Sequence, residues 1–167
     1  KGSLVMGTDS NFYGMTSYGG THGAGTIFKI TPAGTYTVLR QLTNSTDGEY
    51  PEGNLLLGTD GLFYGMTGTG GANGSGTIFK ISQTGTFTLL RTLTTATDGS
   101  NPKGDLVLGT DGNFYGMTSS SGHIFKITST GTFTSLHTFS GNDGNNALGS
   151  LTLASDGNFY RMTSNGG

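Results

Sequence analysis

The fold is decided by the stretch Asp9-Ser10-Asn11-Phe12-Tyr13-Gly14-Met15-Thr16, which returns three more times along the chain with small changes. The later copies occupy residues 60–67, 111–118 and 156–163, so their tyrosines follow one another at spacings of 51, 51 and 45 residues. A period of about 40 to 50 residues is typical of β-propeller blades. The last spacing is shorter because residues are missing before Ile124 and after Gly141, where we expect loops.

Each repeat contains four short segments rich in β-branched and aromatic residues, which we name a, b, c and d. In the second repeat they cover residues 54–57, 62–67, 77–81 and 86–93. Such residues favour half-buried strands, and Asp60-Gly61 and Thr84-Gly85 mark tight turns between neighbouring segments. No segment has the apolar spacing of a helix. The sequence therefore predicts an all-β fold of four-stranded antiparallel blades, with a innermost and essentially no helix.

The domain organisation follows from the repeat boundaries. We expect residues 1–167 to form a single repeat domain, with repeats at about 3–53, 54–104 and 105–149 and a partial repeat at 150–167. Three and a half blades cannot close a propeller, which typically needs about four to eight blades. The open ends would expose unpaired edges. We therefore expect the rest of a longer parent chain as the partner, with association between copies as the alternative. A β-sandwich is the second architecture, although it would not produce a blade-length repeat.

Composition excludes several function classes. Glycine supplies 32 residues, yet it follows no collagen period, and charged residues make up only 11% of the chain. The net charge of −2 and the lack of a Lys/Arg cluster argue against a nucleic-acid partner. No apolar run approaches the roughly 18 residues of a membrane span. Cysteine is absent, which removes disulfides and thiolate chemistry.

A family resemblance rests on one long motif. The stretch 106–118, Leu-Val-Leu-Gly-Thr-Asp-Gly-Asn-Phe-Tyr-Gly-Met-Thr, is followed by a Gly-rich loop and by Ile124-Phe125-Lys126-Ile127. This pattern resembles the tandem repeat of the bacterial GloVer-containing proteins, and more broadly the NHL-type propeller blade. The resemblance implies a propeller on a secreted or surface-anchored bacterial protein. It transfers no catalytic residues.

The acidic residues are the first candidates for chemistry. Seven of the ten recur with the blades: one set in the a–b turns, where Asp accepts backbone N–H groups, and one set in the d-to-a loops. The loop set, with nearby Asn side chains and carbonyl groups, is a candidate ligand-binding site with Ca²⁺ as its only candidate cofactor, and we predict no other metal. Its members are Asp47, Asp98 and Asp143.

Two further candidates are aromatic. The Phe-Tyr pairs of the b segments recur, and we expect them to pack between blades. Tyr18 and Tyr50 do not recur and fall in predicted loops, so they are candidates for stacking on a ligand. The b-to-c and d-to-a loops of a propeller emerge on one face, where binding residues usually lie. A glycan or a protein is the expected ligand class.

No catalytic constellation stands out. The chain has no G-x-S-x-G motif and no unique pair of acids. Its Lys and Arg residues recur with the blades, which indicates a structural role. We therefore expect a non-catalytic extracellular or cell-surface module for binding or structural scaffolding. Two alternatives stay open: a self-associating building block of a ring or fibre, and part of a propeller enzyme, such as a glycan hydrolase or lyase, with its site on the loop face.

Overall fold

The computed structural model describes residues 2–144 and 147–164, and residues 1, 145–146 and 165–167, including part of the third d-to-a loop, lie outside the described residues. The described chain forms three four-stranded antiparallel sheets and one two-stranded piece, which confirms the predicted propeller-type blades. The strands, in chain order, are β1 (Val5–Met6), β2 (Phe12–Thr16), β3 (Thr26–Ile30), β4 (Tyr36–Gln41), β5 (Leu56–Leu57), β6 (Phe63–Thr67), β7 (Thr77–Ile81), β8 (Phe87–Thr92), β9 (Val107–Leu108), β10 (Phe114–Met117), β11 (His123–Ile127), β12 (Phe133–Thr138), β13 (Thr152–Leu153) and β14 (Phe159–Tyr160).

The prediction of an all-β fold with essentially no helix is confirmed, and helix among the described residues is limited to two short segments. Two four-residue helical turns, α1 (Asn44–Asp47) and α2 (Thr95–Asp98), lie in the first two d-to-a loops. Each is held by its own Asp, whose carboxylate accepts the backbone N–H of the Thr four residues earlier, at 3.2 and 3.1 Å. A single turn is too short to show apolar periodicity, so these two turns could not be predicted from the sequence. Among the described residues, no helix is long and apolar enough to cross a membrane.

Neighbouring blades are joined by the recurring aromatic pairs of the b strands. The Tyr of one blade packs on the Phe of the next, with ring centroids 3.9 to 4.2 Å apart. This confirms the predicted inter-blade packing, and each such pair is worth about 0.5 to 1.5 kcal/mol beyond its buried area. The three pairs are Tyr13 with Phe63, Tyr64 with Phe114, and Tyr115 with Phe159.

The a segments lie against one another at the inner edge of the blades, as predicted for the innermost strand. A Cβ on Gly104 would lie 2.1 Å from the carbonyl oxygen of Gly149, so only glycine fits there. Hydrogen bonds link successive blades at this edge: Asn54 donates its side-chain amide to Asp105 at 3.0 Å, and Asp105 donates its backbone N–H to Ser150 at 2.8 Å. Because the start of segment a bonds across blades in this way, the a strands have two residues instead of the predicted four.

Candidate functional site

The b-to-c and d-to-a loops gather on one side of the blades, which we call the loop face (residues 17–25, 43–53, 68–76, 94–104 and the described part of 140–149). The backbone N–H of Tyr50 bonds to the carbonyl of Ala24 at 3.1 Å, and Gly68 N–H bonds to the carbonyl of Tyr50 at 3.0 Å. Glu49 and Thr69 form a short antiparallel bridge. The d-to-a loop of the first blade is thus clamped between the b-to-c loops of its own and the following blade.

Tyr18 and Tyr50 meet on the loop face and form what we call the aromatic corner. Their ring centroids lie 5.1 Å apart with the ring planes at 50°, and Tyr18 is 73% exposed. Thr69 and Asn101 occupy the same two positions of the second repeat, 51 residues later. The structure therefore brings together the two non-recurring aromatic candidates, in an arrangement that the second repeat does not share.

The backbone of Tyr50 is strained. Its φ of 55° lies in the left-handed region, where Asn101 also lies at φ 58°. Asn tolerates this conformation well, whereas for other L-residues it costs on the order of 1 kcal/mol. A bulky aromatic is thus held where the following repeat uses a residue better suited to that backbone. Strain of this kind clusters at binding and catalytic sites.

The candidate Ca²⁺ ligands Asp47 and Asp98 are buried and engaged inside the protein. Arg40 donates two hydrogen bonds to Asp47 at 2.9 and 2.8 Å, and Arg91 donates two to Asp98 at 3.0 and 2.8 Å. Burial acts to raise the pKa of Asp98, but the hydrogen bonds from Arg91, Thr94 and Thr97 outweigh it and hold the pKa below its usual value. A Ca²⁺ ion would have to displace an arginine to reach either carboxylate.

Asp143 repeats this arrangement at the surface. Its carboxylate lies 2.7 Å from Nε2 of His137, and both side chains are substantially exposed. The backbone N–H and hydroxyl of Ser140 also bond to it at 2.8 and 3.0 Å, and this set of contacts lowers the pKa of Asp143 to about 2. Ca²⁺ binding at the three aspartates stays a prediction. Within the described ranges, no three His, Cys, Asp or Glu side chains are grouped so that they could hold a metal ion.

The pairing of these acids with basic residues of the d strands was not predicted from the sequence. A basic residue stands six or seven positions before each loop Asp, in all three repeats, and that spacing was the available signal. The same arginines also bridge blades, since the Arg40 guanidinium lies 4.9 Å from the ring centroid of Phe87 and that of Arg91 lies 5.0 Å from Phe133. The recurring arginines of the d strands thus have a structural role, as expected.

The acids of the a–b turns are also structural. Each accepts the backbone N–H two residues on, as predicted, and also the phenol O–H of the Tyr four residues on, for example Tyr64 to Asp60 at 2.7 Å. Burial and this hydrogen bond raise the pKa of Tyr64 well above its usual range. The phenol therefore stays protonated at neutral pH and acts as a fixed hydrogen-bond donor.

Solved structures similar to this chain share its fold. Virginiamycin B lyase from Staphylococcus aureus superposes with a TM-score of 0.67 at 18% identity, over 96% of this chain and 54% of that one. The extracellular domain of BT4673 from B. thetaiotaomicron, described as a hybrid two component system, gives 0.69 at 16% identity over 98% and 20% of the two chains. A protein described as a gluconolactonase gives 0.60 at 14% over 96% and 56%. This chain spans about half the length of the first of these, 54%.

The remaining comparisons concern sequence. No curated protein sequence matches the chain at a significant level. The profile of the family described as the Gloeobacter/Verrucomicrobia repeat matches residues 1–167, the whole length of the chain. That match agrees with the resemblance carried by the repeated Asp-Gly-Asn-Phe-Tyr-Gly-Met-Thr motif and with the blade that each copy forms. The chain is therefore a member of the Gloeobacter/Verrucomicrobia repeat family.

Proposed function

We propose that the chain is a non-catalytic binding module of an extracellular or cell-surface protein, and that it recognises a glycan through the aromatic corner. The observation that carries this proposal is the contact between the exposed ring of Tyr18, in the first b-to-c loop, and the half-buried Tyr50, in the clamped d-to-a loop. Exposed aromatic rings on rigid loops offer apolar area with a polar hydroxyl edge, which suits the mixed faces of a sugar ring.

The geometry of the corner limits the mode of binding. With the ring planes at 50°, one flat ligand cannot stack on both tyrosines at once. A sugar ring would lie on the more exposed Tyr18, with the edge of Tyr50 against its rim. The half-buried carboxylate of Glu49 next to Tyr50 accepts a hydrogen bond from the Thr69 hydroxyl at 3.2 Å. It retains capacity to accept from a sugar hydroxyl, because a carboxylate offers about four lone-pair sites.

The experiment is a glycan array followed by calorimetry of the sugars that bind. Tyr18→Thr and Tyr50→Asn place the second repeat's residues in the first, and each is expected to weaken binding at least tenfold. Tyr50→Asn should leave the folded state as stable or more stable, since Asn relieves the strained backbone. Tyr36→Thr is the matched control, because Tyr36 is 51% exposed but lies on β4, away from the corner. Failure to bind any sugar, or unchanged affinity in both corner variants, would contradict the proposal.

An enzymatic role is the second candidate, because proteins of the same fold include a lyase and one described as a gluconolactonase. Sequence identities of 14 to 18% show that the fold is shared and carry no argument about activity. Mass spectrometry of the chain incubated with quinupristin, the compound present in one of the virginiamycin B lyase structures, tests this role, and ring opening or cleavage would support it.

Self-association into a ring or fibre stays a prediction, which light scattering over a range of concentrations would test.

A further inference from the structure

The loops that form the aromatic corner are acidic. Glu49 and Glu52 lie in the clamped d-to-a loop, on either side of Tyr50 in the sequence. Within the described ranges neither of them is in an ion pair, whereas Asp47 of the same loop is bonded to Arg40. The first two b-to-c loops contain no Asp, Glu, Lys or Arg. The loops around the corner thus carry a net negative charge.

The two acids belong to the first blade and not to the second. Ser100 and Lys103 occupy the positions of Glu49 and Glu52 in the second repeat, where the two tyrosines of the corner are replaced as well. The strands do not differ in this way, since β2 and β6 have the same sequence, as do β3 and β7. The charge and the aromatic character of the first blade are therefore not required by the blade fold.

The carboxylate of Glu49 is fixed between two complete blades. The Glu49 backbone forms two hydrogen bonds with Thr69 of the second b-to-c loop, at 2.8 and 3.2 Å. The Thr69 hydroxyl donates to Oε1 at 3.2 Å, and Oε2 accepts no hydrogen bond from the described residues. This oxygen reaches solvent, because no buried side-chain oxygen among the described residues lacks a partner. A fixed acceptor loses little conformational freedom on binding, so Glu49 is preorganised to bind a donor.

We propose that the aromatic corner selects glycans that carry free, protonated amino groups, with Glu49 as the residue that recognises the ammonium group. This proposal rests on the proposed glycan site and names the class of sugar that it takes. An ammonium group is attracted to the face of a Tyr ring, and it forms charge-assisted hydrogen bonds with a carboxylate. Both kinds of side chain that distinguish the first blade therefore favour the same cation.

The same charges act against other classes of glycan. N-acetylation removes the positive charge of an amino sugar, so an acetylated glycan would gain only an ordinary hydrogen bond from a carboxylate. A uronic acid or a sulfated sugar would bring a negative charge towards Glu49 and Glu52, and like charges repel. The second blade lacks this bias, because it has Lys103 in place of Glu52.

The test compares three trisaccharides that share a β-1,4-linked glucose backbone and differ only at C2. Cellotriose carries a hydroxyl there, the N-acetylglucosamine trimer an acetamide, and the glucosamine trimer an amine. Calorimetry of the whole chain at about pH 6 keeps the amines protonated, since comparable α-amino groups have pKa values of about 7.7 to 8.0. The glucosamine trimer is expected to bind at least about tenfold more tightly than either of the others, a difference of about 1.4 kcal/mol.

Two variants separate the role of Glu49 from that of overall charge. Glu49→Gln keeps the shape of the side chain and an oxygen for the Thr69 hydroxyl, so it should lose most of the preference for the glucosamine trimer through the loss of charge alone. Thr88→Lys is the matched control, because it changes the net charge by the same amount at an exposed position of β8, outside the loop face. It is expected to leave the preference unchanged. Circular dichroism checks that both variants keep their strands.

Four results would overturn the proposal while leaving a glycan site at the corner. The three trisaccharides could bind equally tightly, or Glu49→Gln could retain the preference for the amine. Thr88→Lys could lose the preference as fully as Glu49→Gln, which would reduce the effect to overall charge. Finally, other sugars of the glycan array could bind while the glucosamine trimer does not. If no sugar binds at all, the proposed glycan site is itself refuted.

Discussion

Replacing Asp98 by Asn should destabilise the protein strongly, because one buried carboxylate anchors the second d-to-a loop. Asp98 accepts four hydrogen bonds, from Nε and Nη2 of Arg91, from the N–H of Thr94 and from the hydroxyl of Thr97, at 2.8 to 3.1 Å. Its side chain is 2% exposed, whereas that of Arg91 is 37% exposed. The amide keeps the shape of the side chain but can accept on one oxygen only, so it loses one bond from the guanidinium and one from a neutral donor.

Those two losses set the magnitude. Both lost bonds are made to the charged carboxylate, and a hydrogen bond to a charged group is worth about 1.5 to 3 kcal/mol. We expect the lower limit of that sum, about 3 kcal/mol, because Arg91 can turn towards water; this value also lies at the lower end of the range for breaking a buried ion pair. Urea unfolding followed by circular dichroism measures the change, with Asp143→Asn as the matched control. Because the His137–Asp143 pair is exposed, that variant should lose much less stability than Asp98→Asn. Equal losses in the two variants would refute the reasoning.

Three further predictions concern the blades themselves. Because the pKa of Asp98 is lowered from 3.8 in the folded state, its stabilising contribution should be complete above about pH 5 and be lost as pH falls through the lowered value, so Asp98→Asn should flatten the acid side of a stability–pH curve. Ser10→Gly should stabilise the protein by about 0.5 kcal/mol, since Ser10 has a φ of 62° where the other a–b turns use Gly; a lower melting temperature would contradict this. Gly65→Ala should cost about 1 to 3 kcal/mol, because its Cβ would meet the buried Phe79 ring; unchanged urea unfolding would exclude that contact.

The fold was predictable because the repeat supplies its own comparison within one sequence. The four copies of the b strand fixed the blade, the turns and the inter-blade role of the Phe-Tyr pairs, and all of these were found. The helical turns were missed because one turn leaves no periodic trace. The Arg91–Asp98 pair was missed because its partners lie in a strand and a loop that were considered separately, although their spacing recurs.

The candidate site was predictable only in part. Tyr18 and Tyr50 stood out because they do not recur, but a separation of 32 residues gives no sign that their rings touch. Their contact depends on the clamping of the first d-to-a loop by two neighbouring b-to-c loops, which is a tertiary effect. The strain at Tyr50 likewise exists only in the folded backbone, since the sequence does not state which loop residue takes a positive φ.

Departures from the repeat are of two kinds. Some only destabilise the local backbone, whereas others also place a large side chain on a surface where it is available to a ligand. Ser10 stands where the other a–b turns use glycine, and it lies in an exposed turn. Its positive φ therefore destabilises the backbone without placing its side chain in a site. Tyr50 differs from it, because it adds a large side chain to a surface in place of a residue that the backbone favours. The cost of Tyr50 is local backbone strain. This cost is explained if a ligand is bound at the aromatic corner.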